Sequence, residues 1–202
     1  VLTTRELARL IKKYGINFNN LPNEQFDDPI GYGTTAGLIF GATGGVMEAA
    51  LRTVYEIVTG KTLEKLDFEA VRGVEGIKEA TVDLAGKTIK VAAVNTLSKA
   101  REVMEKIKNG ECDYTFIEVM ACPGGCVNGG GQPIVSSELL NKGVDPRALR
   151  AAAIYKMDKD SPIRKSHENP VVKKLYAEYF EKPGSHIAHE VLHTTYVKRE
   201  KM

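Results

Sequence analysis

The run Tyr114 to Met120 (YTFIEVM) is dense in β-branched and aromatic residues, and it passes without a break into Ala121-Cys122-Pro123-Gly124-Gly125-Cys126-Val127-Asn128 and three further glycines at 129–131. A strand is predicted over 114–120. Its carboxyl end delivers two cysteines, four positions apart, into a bed of glycine. Open α/β sheets carry their sites at the carboxyl ends of strands, so this stretch constrains architecture and function together.

The flanking sequence agrees with an α/β chain. Thr3-Thr4-Arg5-Glu6 has the form of a capping box, followed by Leu7, Leu10, Ile11 and Tyr14 at helical spacing before Gly15. Residues 16–33 show no period and many turn formers, and read as a long loop. Phe40 to Gly45 (FGATGG) is a glycine-rich turn feeding a helix that ends at Gly60. Thr81–Leu84 and Thr88–Val94 read as a hairpin about Ala85-Gly86-Lys87. Leu97, Ala100, Val103, Met104 and Ile107 form the apolar stripe of another helix, closed by Asn109-Gly110, with Met104 expected in the core. Residues 146–156, 170–181 and 186–196 are predicted to be helical. The expectation is a single domain over residues 1–202: a small mixed β-sheet flanked by helices, with a helical C-terminal cover.

Composition excludes several classes. A formal net charge of +2 and the lack of a basic run interleaved with aromatics argue against nucleic acid. No run of eighteen apolar residues occurs, so no membrane span is expected. Three cysteines are too few, and odd in number, for a secreted disulfide scaffold, which favours a reducing compartment or a metal role, with the cytoplasm as default. The start at Val1, with neither initiator methionine nor signal-peptide core, reads as a mature, processed or truncated chain.

The C-x-x-x-C spacing of Cys122 and Cys126 does not match the C-x-x-C redox motif, and no second pair completes a four-cysteine zinc site. A radical-SAM triad fails because Gly129 stands where the third cysteine belongs. Thiolates suit iron–sulfur clusters, and Gly124, Gly125 and Gly129–Gly131 let the backbone approach a bulky inorganic body closely. Residue chemistry alone leaves two readings open: a cluster segment showing two of four ligands, or a glycine-rich loop with incidental cysteines.

A resemblance adds what chemistry leaves open. Phe116 to Pro133 (FIEVMACPGGCVNGGGQP) resembles the third cysteine signature of the iron–iron (FeFe) hydrogenases. VLTTRELARLI at 1–11, IFGATGGVMEAALR at 39–52, VRGVEGIKEA at 71–80, KSHENPVVKKLY and KPGSHIAHEVLH are similar to the same family. The resemblance implies one lobe of a two-lobed catalytic domain. It implies an H-cluster, a four-iron four-sulfur (4Fe-4S) cubane joined through one cysteine sulfur to a two-iron unit with CO, CN⁻ and a dithiolate. By motif, Cys122 would ligate the cubane, and Cys126 would ligate it and bridge to the two-iron unit. Met120 and Phe40-Gly41 would line the two-iron pocket. The implied activity is reversible reduction of protons to H2, with a ferredoxin-like or NADH-linked electron donor as partner.

Two other family signatures, T-S-C-C-P-x-W and M-P-C-x-x-K-x-x-E, are absent from the sequence. With them go two cubane ligands, a proton-relaying cysteine and a lysine that contacts a cyanide. The chain is therefore expected to be the C-terminal half of the catalytic domain, inactive alone and metal-free or holding a labile cluster. The rival expectation is a non-catalytic or sensory hydrogenase-like iron–sulfur protein.

Three features are read as bland. His189-Glu190-Val191-Leu192-His193 spells H-E-x-x-H, but no downstream third zinc ligand follows. Cys112 lies outside every matched signature and is expected to be incidental. His167 is expected to make a local hydrogen bond near a helix start.

Overall fold

A computed structural model describes residues 1–24, 27, 33–73, 76–84 and 86–200. Most of the Gln25–Tyr32 stretch expected as loop lies outside those residues, as does Ala85 of the expected hairpin turn. Helix α1 (Thr4–Lys13) opens with the capping box: Thr3 Oγ1 accepts from Glu6 N–H, and Glu6 accepts from Thr3 N–H at 2.8 Å. Its apolar stripe is uncovered, with Leu7, Leu10 and Tyr14 exposed.

Helix α2 (Thr35–Leu38) leads through a 3-10 turn at Ile39–Gly41 into α3 (Gly45–Thr59). Strands β1 (Ile77–Leu84) and β2 (Lys87–Asn95) pair antiparallel in register Ile77↔Val94 to Leu84↔Lys87. Gly86 in the connecting turn takes φ +86°. Helix α4 (Leu97–Lys108) then crosses over to β3 (Phe116–Met120), which pairs parallel with β2 from Val91↔Phe116 to Asn95↔Met120. The sheet order is β1-β2-β3, so the expected mixed sheet is present with β3 at one edge.

Alternation along β2 divides the core between its faces. Ile89, Val91 and Ala93 pack with Met47 and Leu51 of α3, whereas Ala92 and Val94 pack with Val103 of α4. The helices therefore sandwich the sheet. Met104 does not join them. It is 62% exposed, because it lies at the margin of the α4 face whose centre is Ala100 and Val103.

The C-terminal third is the expected helical cover, with revised boundaries: α5 (Ser137–Asn141), α6 (Pro146–Lys159), α7 (Pro170–Leu175) and α8 (His186–Leu192). Asp145 caps α6, accepting from Arg147 N–H at 2.8 Å, with Pro146 in the first turn. α7 runs into a π-turn at Tyr176–Phe180, which buries Phe180. α8 stops at Leu192, short of the expected 196, because His193 turns to extended backbone (φ −106°, ψ 141°).

A closed ring of six charges fastens this cover to α3. Glu48 accepts from Arg52 (2.6 Å) and Arg72 (2.8 Å), Asp158 from Arg52 (2.8 Å) and Arg164 (2.7 Å), and Asp67 from Arg72 (2.7 Å) and Arg164 (2.9 Å). The side chains of Glu48, Arg52 and Asp158 have no exposure at all. Three carboxylates and three guanidiniums cancel, so burial leaves no net charge unpaired. Burial pushes the Asp158 carboxyl up, but the hydrogen bonds from Arg52, Arg164 and Thr35 outweigh it and hold it at about 2.

Candidate functional site

The two candidate thiolates stand at the carboxyl end of β3, both exposed. Gly124 (φ +86°) and Gly125 (φ +98°) between them take backbone conformations that L side chains rarely adopt. Gly125 N–H donates to Cys122 O at 2.9 Å, so the segment folds back at once, and a 3-10 turn over Cys126–Asn128 follows. Val127 is buried while its neighbour Cys126 is exposed, which anchors the loop and leaves the thiol outside.

The glycine-rich turn before α3 is the other half of the site. Thr43 N–H donates to Gly124 O at 3.1 Å. A Cβ on Gly125 would lie 2.8 Å from Gly41 O and from Thr43 N, so two glycine-bearing backbones meet there with no room for a side chain. Gly41 itself lies under Val127 and Ile154. Phe40, 43% exposed, therefore stands beside the cysteine loop although it is 82 positions from Cys122 in the chain. The structure brings Phe40-Gly41 to the Gly124–Val127 loop, and it sets Met120, half-buried, at the end of β3, where its carbonyl accepts from Thr96 N–H at 2.7 Å. Thr96 holds φ +75°, a strained conformation for a β-branched residue, next to this strand end.

Glu118 escaped the sequence reading. It is buried at 6% exposure and accepts from Gly44 N–H and Met47 N–H, both at 2.7 Å, so one carboxylate ties β3 to the start of α3. Burial raises its pKa, and those backbone donors oppose the rise. The available signal was an acidic residue inside an otherwise apolar strand run. Asn95 adds a second tie, donating to Thr43 Oγ1 at 2.6 Å. From outside the sheet, Arg150 donates to Val127 O and Pro133 O, both at 2.9 Å, and the Arg5 guanidinium donates to Gly130 O.

The remaining candidates lie elsewhere. His189 and His193 stack at 4.3 Å between ring centroids on the exposed end of α8, and Cys112 is half-buried on the helix-to-strand connection. His167 is not locally bonded, contrary to expectation: its ring meets Thr53 Oγ1 (3.1 Å) and Glu56 (2.7 Å) on α3, because Ser166–Glu168 folds onto that helix. Carboxylates do converge at Glu56 and Glu168, but the Lys165 ammonium sits between them at 2.7 and 3.0 Å and fills the place a cation would take.

Residues 1–130 match the sequence profile described as iron only hydrogenase large subunit, C-terminal domain, and residues 144–199 match that of the iron hydrogenase small subunit. The chain belongs to the iron-only hydrogenase family. It is 48% identical to NADP-reducing hydrogenase subunit HndD of Solidesulfovibrio fructosivorans, over 100% of this chain and 34% of that protein. Among solved structures, a variant of FeFe hydrogenase HydA1 from Chlamydomonas reinhardtii matches with a TM-score of 0.74 and 41% identity, over 98% of this chain and 55% of that one. The mouse cytosolic iron-sulfur assembly component 3 is 28% identical over 100% of this chain and 41% of its own length. The chain thus spans about a third of the curated hydrogenase and about half of the solved one. Among the described residues, no helix of this hydrogenase domain is long and apolar enough to cross a membrane.

Proposed function

We propose that this chain is the C-terminal part of an FeFe hydrogenase catalytic domain, supplying Cys122 and Cys126 as two of the four thiolate ligands of its iron–sulfur centre. One observation carries the reading: two exposed thiols held on a side-chain-free cradle where the Phe40–Gly45 turn and the Cys122–Cys126 loop touch. Exposed thiols suit iron–sulfur ligation, and the contact at Gly125, where a Cβ would strike Gly41 O and Thr43 N, fixes the loop that carries them. The cluster, when bound, supplies electron storage and a site for reversible proton reduction. This chain's residues bind it through two sulfurs, present Phe40 and Met120 as apolar wall, and use Glu118 and Asn95 to fix the two loops against each other. Two further ligands belong to an upstream part of the domain, so residues 1–202 alone do not turn over. The electron donor is a ferredoxin-like or pyridine-nucleotide-linked partner.

A second reading, a cluster-carrying assembly factor without hydrogenase activity, draws support from the similarity to the mouse assembly component. One experiment separates them. Residues 1–202 replace the matching segment of HydA1, iron and sulfide are reconstituted anaerobically, the two-iron unit is applied, and bound iron and H2 from reduced methyl viologen are measured. The enzyme reading expects iron and H2 from the chimera and neither, in sustained form, from the isolated chain. Sustained H2 from residues 1–202 alone would overturn the half-domain reading, and bound iron without H2 in the chimera would favour the assembly factor.

A further inference from the structure

The glycine-rich segment after β3 uses up its carbonyls and spares its amides. The carbonyl oxygens of Cys122, Gly124, Gly125, Cys126 and Gly129 accept from the N–H groups of Gly125, Thr43, Asn128, Gly129 and Gln132 at 2.9–3.1 Å. Those of Val127 and Pro133 accept from the two ends of the Arg150 guanidinium, both at 2.9 Å. Gly130 O and Gly131 O accept from the Arg5 guanidinium and the Arg5 N–H. By contrast, the N–H groups of Gly124, Cys126, Val127, Gly130 and Gly131 donate to no acceptor among the described residues. Gly124 and Val127 are buried, so water serves their amides poorly, and a buried N–H without an acceptor is rare in a finished protein. A backbone with its acceptors taken and its donors spare is a nest for an anionic, acceptor-rich body.

Helix α6 holds this arrangement from outside. Arg147, Arg150, Ile154 and Asp158 recur at spacings of three, four and four, which puts them on one face of the helix. A Cβ on Gly124 would meet the Arg147 stem at 3.3 Å, Ile154 lies beside Gly41, and Asp158 is locked into the charge ring. α6 is thus a splint: the ring fixes one end, and the other carries the guanidinium that grips the loop. The two carbonyls held by Arg150 bracket Asn128 to Gln132, so one rigid fork sets the span of an arc that has little side chain to set it otherwise. A lysine would keep the charge but, as a single point on a flexible stem, could not hold both ends.

We propose that Arg150 is a positioning residue for the iron–sulfur centre, clamping Val127 O and Pro133 O so that the spare N–H groups of the arc stay ordered for the sulfides of the cluster. The inference rests on the ligand assignment proposed above. Hydrogen bonds to cluster sulfur favour the reduced, more negative state and so raise the reduction potential, and a loosened arc should lower it.

Hydrogen exchange followed by mass spectrometry tests the clamp without iron. In Arg150→Lys of residues 1–202, the bonded amides of Asn128, Gly129 and Gln132 should exchange roughly tenfold faster, while β1 and β2 keep their protection. Equal loss of protection in the sheet would make Arg150 a residue of the fold and overturn the inference. The cluster is tested in the HydA1 chimera, with iron and sulfide reconstituted and the two-iron unit withheld. There Arg150→Lys should bind as much iron as the unsubstituted chimera but be reduced at a potential lower by about 59 mV, a tenfold shift in a one-electron equilibrium. Arg150→Met should loosen the arc in the same way and lower the potential further, since it removes a positive charge as well. If Arg150→Lys leaves exchange and potential unchanged and only Arg150→Met lowers the potential, charge acts alone and the positioning role falls. Iron lost outright from Arg150→Lys, with the sheet still protected, would support the role. No iron in the unsubstituted chimera would refute the ligand assignment and this inference with it, whereas iron bound at an unshifted potential in Arg150→Lys refutes the inference alone.

Discussion

The six-charge ring and the cysteine loop lie at opposite extremes of completeness within one small fold. In the ring every carboxylate has two guanidinium partners and three of the six side chains are wholly buried. At the loop two thiols face outward, and the neighbouring β3 edge has no partner among the described residues. The ring is chemistry that this chain finishes by itself. The loop, on the proposed reading, is chemistry that it begins.

The largest expected effect falls on the unfinished region. Cys126→Ser in the HydA1 chimera should lower H2 turnover by at least a factor on the order of 100, because a serine oxygen is a poor partner for iron that prefers soft thiolate. Thermal unfolding of the isolated chain should hardly move, since the thiol is exposed. Cys112→Ser should alter neither. Normal turnover in a fully metallated Cys126→Ser chimera would remove Cys126 from the site.

The ring predicts the reverse pattern. Asp158→Ala leaves Arg52 with Glu48 alone and Arg164 with Asp67 alone, and breaking a buried pair by removing one partner costs about 3–5 kcal/mol. Denaturant unfolding of the isolated chain would measure it. A loss near zero would mean that the ring does not hold residues 144–199 to α3, and the contrast between a closed and an open region would collapse.

Gly125→Ala tests where the two regions meet. The new Cβ would stand 2.8 Å from Gly41 O at a residue with φ +98°, so about 1–3 kcal/mol of stability should be lost. Because the strain lands between the Phe40 turn and the cysteine loop, turnover in the chimera should fall further than stability alone explains. Equal falls in both would make the glycine contact merely structural.

These contrasts also explain what the sequence disclosed. The capping box at Thr3–Glu6, the β1–β2 hairpin, and the strand that ends at Met120 are local patterns that formed as expected in kind, though β1 begins at Ile77 rather than Thr81, β2 spans Lys87–Asn95 and β3 begins at Phe116 rather than Tyr114. The ring was illegible because its members are scattered from Glu48 to Arg164, and a charged residue on a helix looks the same in sequence whether buried or solvated. Glu118 left a signal, an acidic residue inside an apolar strand run, but its partners Gly44 and Met47 lie more than 70 residues away. Met104 failed differently: the helical period placed it on the apolar side of α4, but only Ala100 and Val103 at the centre of that side meet the sheet.

A smaller effect comes from acid. Burial pushes Glu56 up, but the Lys165 ammonium, the Leu63 N–H and His167 outweigh it and hold its carboxyl at about 2, as Asp158 is held at about 2. Both folded values lie below the ordinary carboxylate range, so these groups stabilise the fold above about pH 4.5 and the contribution is lost as pH falls toward 2. The melting temperature should decline through that window. Asp158→Asn and Glu56→Gln together should flatten the decline while lowering the plateau above it. An unchanged slope would mean that other carboxylates govern acid unfolding.

The smallest effect is expected at the H-E-x-x-H stretch. His189 and His193 stack on each other at 4.3 Å near the exposed end of α8, which ends at Leu192 with His193 already in extended backbone. Exposed positions of this kind change stability by no more than about 0.5 kcal/mol when substituted. Two imidazoles without a third protein ligand do not make a structural or catalytic zinc site. His189→Ala and His193→Ala should therefore leave both unfolding and the metal content of the purified chain unchanged. Stoichiometric zinc removed by either substitution would show that α8 closes a metal site of its own, and the cysteine loop would lose its place as the region where this chain awaits metal.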